Sequence, residues 1–262
     1  MTQRRRLHGV AALVAVGAAL LGCLAAAQPG EGAPQDQPEA QPATDPMDGL
    51  PAELRMVLEN LDRANAELQD VTAVVTYERV IPLLDEKERS RGSLVFKKPD
   101  LIALELGRPR NEAAYSNGEK WWVVSHDEKQ VEIYDAAAEG EEAGRETAFL
   151  DFGYGAGAEK LLADYEVELV ETRPAEDEAG ETVYRLKFTP RQAPDRPARY
   201  AAVEVEVSDV LWLPQVLVLH ESGGEIVHTY TFGKVRLNTG VEDDVFEYEP
   251  PRGYTVLRPE RF

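Results

Sequence analysis

Few residues of this chain have the type and spacing that covalent or metal chemistry requires. Its four histidines are His8, His126, His220 and His228. His8 belongs to an N-terminal leader and His126 to a polar turn. His220 and His228 can face each other across a hairpin, but two imidazoles with no further ligand nearby fall short of a zinc site, which takes at least three protein ligands. Cys23 is the only cysteine, so no internal disulfide can form and the mature domain holds no thiol nucleophile. Asp151-Phe152-Gly153 has the letters of the kinase metal motif without that enzyme's glycine loop, paired lysine or catalytic loop. Gly153 to Gly157 is glycine-rich, yet no Rossmann strand precedes it. Asp243-Asp244 is one carboxylate pair among many in a chain with 48 acidic residues. No nucleophile, base and orienting group can be assembled, so neither enzyme activity nor a metal or cofactor is expected.

The chemistry that remains is the transfer of hydrocarbon out of water. On pattern grounds Tyr77, Leu94, Phe96, Ile102, Leu104, Trp122, Ile133, Tyr184, Leu186, Phe188 and Phe232 are candidate walls of an apolar cavity, and Val203, Val205 and Phe246 share the pattern. Trp121 and Trp122 must point to opposite faces of a regular strand, so one can line the cavity while the other packs elsewhere; core packing of both is the plainer alternative. Phe149, Leu150 and Phe152 sit beside the glycine-rich hinge, a composition suited to a lid, or to a loop packed permanently on the core. An acyl ligand needs no catalyst, because each methylene removed from water contributes about 0.8 kcal/mol.

These residues need elements to hold them. Leu54, Leu58, Leu61, Ala64 and Leu68 recur at spacings of three and four, which predicts one amphipathic helix over 51–68. From Val71 the period changes to two. Strands are expected at 71–81, 92–97, 101–106, 112–116, 120–124 and 130–134, with a charged turn at 84–90 and Asn117-Gly118 as a hairpin signal. A mobile acidic loop at 136–146 and a short helix at 158–164 follow. Strands resume at 165–172, 182–189, 200–207, 213–220, 225–232 and 245–248. These strands with two helices make one α+β domain, mostly antiparallel because the hairpins run in series. So long a sheet curls, and a curled sheet with one apolar face and little helix to fill it is a binding groove.

The N-terminus bounds where this happens. Arg4-Arg5-Arg6 and the apolar run from Val10 to Leu21 read as a secretory signal, too short for a comfortable membrane span. Two cleavage readings compete. Leu20-Leu21-Gly22-Cys23 resembles a lipobox, which would lipidate Cys23 after removal of residues 1–22, while Ala25-Ala26-Ala27 suits ordinary cleavage after residue 27. Residues 28–49 contain five prolines, five acidic residues and no basic one, the composition of a disordered tether. The domain proper is residues 50–262, exported to the periplasm and anchored there if Cys23 is lipidated. The formal charge of −20 excludes nucleic acid as a natural partner and disfavours direct attraction to an anionic membrane.

Several ordered stretches resemble the periplasmic carrier of outer-membrane lipoproteins and the wider outer-membrane lipoprotein-sorting protein family. They are Val57 to Leu68, Thr72 to Tyr77, Gly92-Ser93-Leu94-Val95-Phe96-Lys97-Lys98-Pro99, Tyr115 to Val124, Gln130-Val131, Phe232 to Val235, Asn238, and Phe246-Glu247-Tyr248-Glu249-Pro250-Pro251-Arg252-Gly253-Tyr254-Thr255-Val256. The resemblance implies a single strongly curved antiparallel sheet forming an incomplete β-barrel with a helical lid. It further implies a cavity for acyl chains of lipoproteins or other lipids, received from an inner-membrane transporter or passed to an outer-membrane receptor. Lys98 matches a basic residue that latches the lid, where the family pattern has arginine; lysine keeps the charge and loses the planar fork. The same fold also serves envelope sensors and protein-interaction modules, which stands as the alternative function.

Overall fold

A computed structural model of the chain describes residues 46–135, 152, 154, 157–176, 180–191 and 198–258. The expected leader, the linker up to residue 45, the loop at 136–146, Cys23, Phe149 and Leu150 lie outside the described residues.

Helix α1 (Ala52–Glu67) forms where leucine spacing called for one, and it buries Leu54, Val57, Leu58 and Leu61 along one stripe. Pro51 stands at its N-cap. Leu68 ends it by turning extended while its N–H bonds back to the Ala64 and Asn65 carbonyls, both at 3.1 Å. Helix α2 (Ala158–Asp164) starts under the control of α1, because Asp62 Oδ1 accepts from the Ala158 N–H at 2.7 Å. A carboxylate there satisfies one of the N–H groups that a helix start leaves unpaired.

Among the described residues, twelve strands build one sheet. They are β1 (Asp70–Ile81), β2 (Glu86–Lys97), β3 (Leu101–Leu106), β4 (Glu112–Asn117), β5 (Lys120–Ser125), β6 (Gln130–Asp135), β7 (Tyr165–Pro174), β8 (Thr182–Pro190), β9 (Tyr200–Ser208), β10 (Pro214–Glu221), β11 (Val227–Leu237) and β12 (Thr255–Leu257). Their order is β12-β6-β5-β4-β3-β2-β1-β11-β10-β9-β8-β7. Two antiparallel meanders, β1 to β6 and β7 to β11, are therefore fused through the β1–β11 pair, while β12 adds in parallel to β6. The sheet is strongly curved and open, with β12 and β7 as its edges among the described residues.

Three local expectations change. The charged run at 86–91 is strand, not turn: it pairs residue by residue with the end of β1, and Lys87 Nζ lies 2.8 Å from Glu78 Oε1 across the pair. Residues 86–91 run past the stretch of β2 that pairs with β3, which spans Gly92 to Lys97, so this part of β2 is an edge that can carry charge, which hides it from a hydrophobic pattern. The turn shrinks to a 3-10 turn at Pro82–Leu84. Residues 245–248 do not form a strand either; a 3-10 turn, Asp243–Phe246, buries Phe246 completely.

Alternation sorts the side chains into two clusters. On the concave face, cross-strand partners Ala73, Leu94 and Leu104, and likewise Tyr77, Tyr230, Leu217, Val205 and Leu186, face α1 in one core. On the opposite face Ala103, Ala113, Tyr115, Trp122, Val124 and Val131 are covered by Phe246, with Tyr248 stacked on Tyr115 at 4.7 Å. The segment that carries Phe246 is secured by Lys97 Nζ, 2.6 Å from Asp243 Oδ1 and 2.7 Å from the Val241 carbonyl. It is also secured by Asp70, whose carboxylate accepts from Thr239 N at 2.8 Å, Thr239 Oγ1 at 2.9 Å and Gly240 N at 2.9 Å. Burial of Asp70 works to raise its pKa, but these donors outweigh it and hold the carboxyl below the ordinary aspartate range.

Candidate functional site: the apolar face beneath α1

The inner wall is laid down by period two. Leu94 and Phe96 of β2, Ile102 and Leu104 of β3, Tyr184, Leu186 and Phe188 of β8, Phe232 of β11 and Tyr77 of β1 fall on the concave side, and all are buried in the cluster that α1 covers. Phe152 joins them, edge-on to Tyr165 at 5.0 Å and to Phe188 at 5.2 Å. Tyr154, which the sequence did not single out, is fully buried between Phe96 and Phe232 at 6.2 and 5.8 Å. Its hydroxyl donates to the Pro214 carbonyl at 2.9 Å, and burial pushes its pKa far up, so it stays a neutral donor.

Two expected wall residues do not belong there. Trp122 pairs with Tyr115 and Ile133, and this row has the opposite parity to Leu94 and Leu104. Trp122 and Ile133 therefore pack on the other face, beneath the segment carrying Phe246, which itself lies on that side. Trp121 is the tryptophan on the concave side, half-buried against the main cluster. The two histidines expected to face each other also separate. His220 Nε2 meets Glu204 at 3.1 Å, while His228 turns to Tyr77.

The cover is apolar in its contact and sparing in its polar ties. Lys98 Nζ donates to the Asn65 carbonyl near the end of α1, and burial lowers the lysine's pKa. Thr172 Oγ1 donates to Glu53 Oε1 at 3.0 Å near the start of α1. Asn238 Nδ2 donates to the Glu67 carbonyl at 3.1 Å. Asn65 Oδ1 is buried without a hydrogen-bond partner among the described residues, in the seam where Leu58, Leu61, Phe152 and Phe188 meet. That seam leaves a void of only about 10 Å³, so with α1 in place the side chains themselves occupy the concave face. A larger cavity of about 210 Å³ opens further along β1, where Tyr77 and Leu104 line it. It is smaller than the ~300 Å³ at which ligand pockets begin.

The fold is thus an open, curved antiparallel sheet whose apolar face is roofed by a helix. Residues 83–249 match the family described as outer membrane lipoprotein carrier protein LolA, and the chain belongs to that family. It is similar to the outer-membrane lipoprotein carrier protein of Halorhodospira halophila (strain DSM 244 / SL1), with 25% identity over 173 residues that span 66% of this chain and 72% of the relative. Among solved structures it is similar to an uncharacterized conserved protein from Thermus thermophilus, with a TM-score of 0.49, 11% identity and coverage of 79% of this chain and 99% of that one. It is also similar to the Mycobacterium tuberculosis lipoprotein LppX, with a TM-score of 0.42, 13% identity and coverage of 72% and 97%. No helix among the described residues is long and apolar enough to cross a membrane.

Proposed function

We propose that this protein is a non-catalytic lipid carrier or receptor of the cell envelope, which takes acyl chains of lipoproteins against the concave face of its sheet when α1 lifts. Membership of the outer membrane lipoprotein carrier family supports the general role. The observation that carries the finer reading is the replaceable roof: Leu54, Val57, Leu58 and Leu61 of α1 are buried on the sheet, and few polar ties hold them. Burying four such side chains contributes about 6–12 kcal/mol, an amount that roughly eight to fifteen methylenes at ~0.8 kcal/mol each would match. One long acyl chain can therefore take the helix's place at little net cost, which suits a carrier that must load and unload. In this reading Lys98 is the latch of the closed form, and Phe152 forms part of the cover. Export to the periplasm follows from the leader, and anchoring would depend on Cys23.

Gentle extraction of the protein from its native membrane, followed by mass spectrometry of what accompanies it, tests this reading. Co-purified acylated species are expected. An empty domain holding one stable protein partner would instead favour a sensor or interaction module. Labelling with radioactive fatty acid should mark the chain and fail on Cys23→Ser; absence of label on the normal protein would remove the lipid anchor.

A further inference from the structure

The 210 Å³ cavity is lined by residues of the sheet and its connections and by none of α1 or α2. Three arginines reach it in a chain of net charge −20: Arg79 from β1, Arg110 from the turn before β4, and Arg199 from the start of β9. Arg79 occupies an inward position two residues beyond Tyr77, and its side chain has neither an ion pair nor a hydrogen bond among the described residues, even though Glu88 stands opposite it on β2. A guanidinium turned into a cavity without a protein acceptor is a donor fork awaiting an oxyanion.

Beside it the polar groups are already oriented. Glu221 Oε1 lies 2.9 Å from His228 Nε2, and His228 Nδ1 lies 2.8 Å from the Tyr77 hydroxyl. With Glu221 accepting from Nε2, Nδ1 is left to accept from the phenol. Burial pushes the Tyr77 pKa up to about 12, so the phenol keeps its proton. Arg110 lies over the Tyr77 ring at 5.6 Å, steadied by Glu112 at 2.7 Å from its Nε. The floor is apolar, formed by Leu104, Leu106, Ala114 and Ile226. A ligand matched to both surfaces carries a multiply charged oxyanion on a short hydrocarbon stem.

We propose that this mouth is a binding site for the phosphate group of a small amphiphile, at the end of the concave face beyond α1, where it shares Tyr77 and Leu104 with the covered apolar surface. Arg79 supplies the free fork, Arg110 and Arg199 supply the field, and the Leu104–Leu106 floor takes the first carbons of the stem. Titration calorimetry of the full chain with hexyl phosphate, inorganic phosphate and hexanoate, at low and physiological salt, tests it. Hexyl phosphate should bind most tightly and weaken as salt rises, and Arg79→Gln should reduce its affinity about tenfold, the effect of one charge-assisted hydrogen bond. Arg79→Lys should fall in between, and the exposed Arg258→Gln should change nothing. Thermal melting and uptake of a fluorescent fatty-acyl probe should stay at normal levels in Arg79→Gln, which separates this site from the acyl-binding role. The proposal is overturned if hexyl phosphate fails to bind, if inorganic phosphate or hexanoate binds as tightly, or if Arg79→Gln binds like the normal protein.

Discussion

Lys98 offers its ammonium to a backbone carbonyl near the end of α1, and a charge-assisted bond of that kind contributes about 1.5–3 kcal/mol. If the helix must lift for a lipid to enter, removing the bond weakens the closed form more than the loaded one. Lys98→Met should then raise the affinity for a fatty-acyl probe about tenfold while lowering the urea midpoint of the empty protein, and Lys98→Arg should restore both. Unchanged probe affinity in Lys98→Met would argue against a latch. Asp70 governs acid stability. Its folded pKa lies below that of the unfolded chain, so its contribution is present above about pH 4 and is lost as pH falls through the folded value. Asp70→Asn should cost at least about 2 kcal/mol at pH 7 and should flatten the loss of stability between pH 5 and pH 2, read by urea unfolding at each pH. At this scale the sequence was informative where parity was unambiguous, as for Leu94, Phe96 and Leu186. It failed at Trp121-Trp122, because adjacent tryptophans carry no sign of which face is which until the register with Tyr115 is known. The mouth arginines escaped notice because they come from segments far apart in the chain; the signal was Arg79 itself, a charge on the apolar parity of β1.

The elements were legible wherever contacts are local. α1 and the hairpins from β2 to β6 sit close to where periodicity and turn residues put them, and Gly118 adopts the positive φ of +83° that the Asn117-Gly118 turn requires. The β1–β11 pairing was not legible, because it joins strands separated by most of the chain and no local pattern encodes that choice. β12 was hidden for a related reason: three exposed residues pair in parallel with β6 and show no alternation. Gly92 marks a close backbone approach between β2 and β3. A Cβ added there would stand 1.7 Å from the Glu105 carbonyl oxygen of β3, whereas one at Gly223 would meet nothing within 4 Å. Gly92→Ala should therefore destabilise the fold by more than about 3 kcal/mol, or prevent soluble expression, and Gly223→Ala should lie within about 0.5 kcal/mol of the normal protein. Equal urea midpoints for the two variants would refute the close-approach argument.

Taken whole, the molecule uses the two faces of one sheet for two purposes. The outer face of β3 to β6 is sealed by a segment fixed through Asp70 and Lys97, and the inner face is covered by a helix with few such fixings. This asymmetry predicts that Phe246→Ala costs about 3–5 kcal/mol yet leaves acyl-probe affinity unchanged, because the cavity it opens is on the wrong side of the sheet. A coupled loss of affinity without loss of folded protein would contradict the division. The central claim concerns which surface hydrocarbon touches. A photoactivatable fatty-acyl probe, crosslinked to the folded protein and mapped by peptide mass spectrometry, reads that directly. Adducts should fall on concave residues such as Leu186, Phe188 and Val205 and on α1, with faster amide exchange in α1 on loading. No uptake, or adducts confined to the Trp122 and Val131 face, would contradict it.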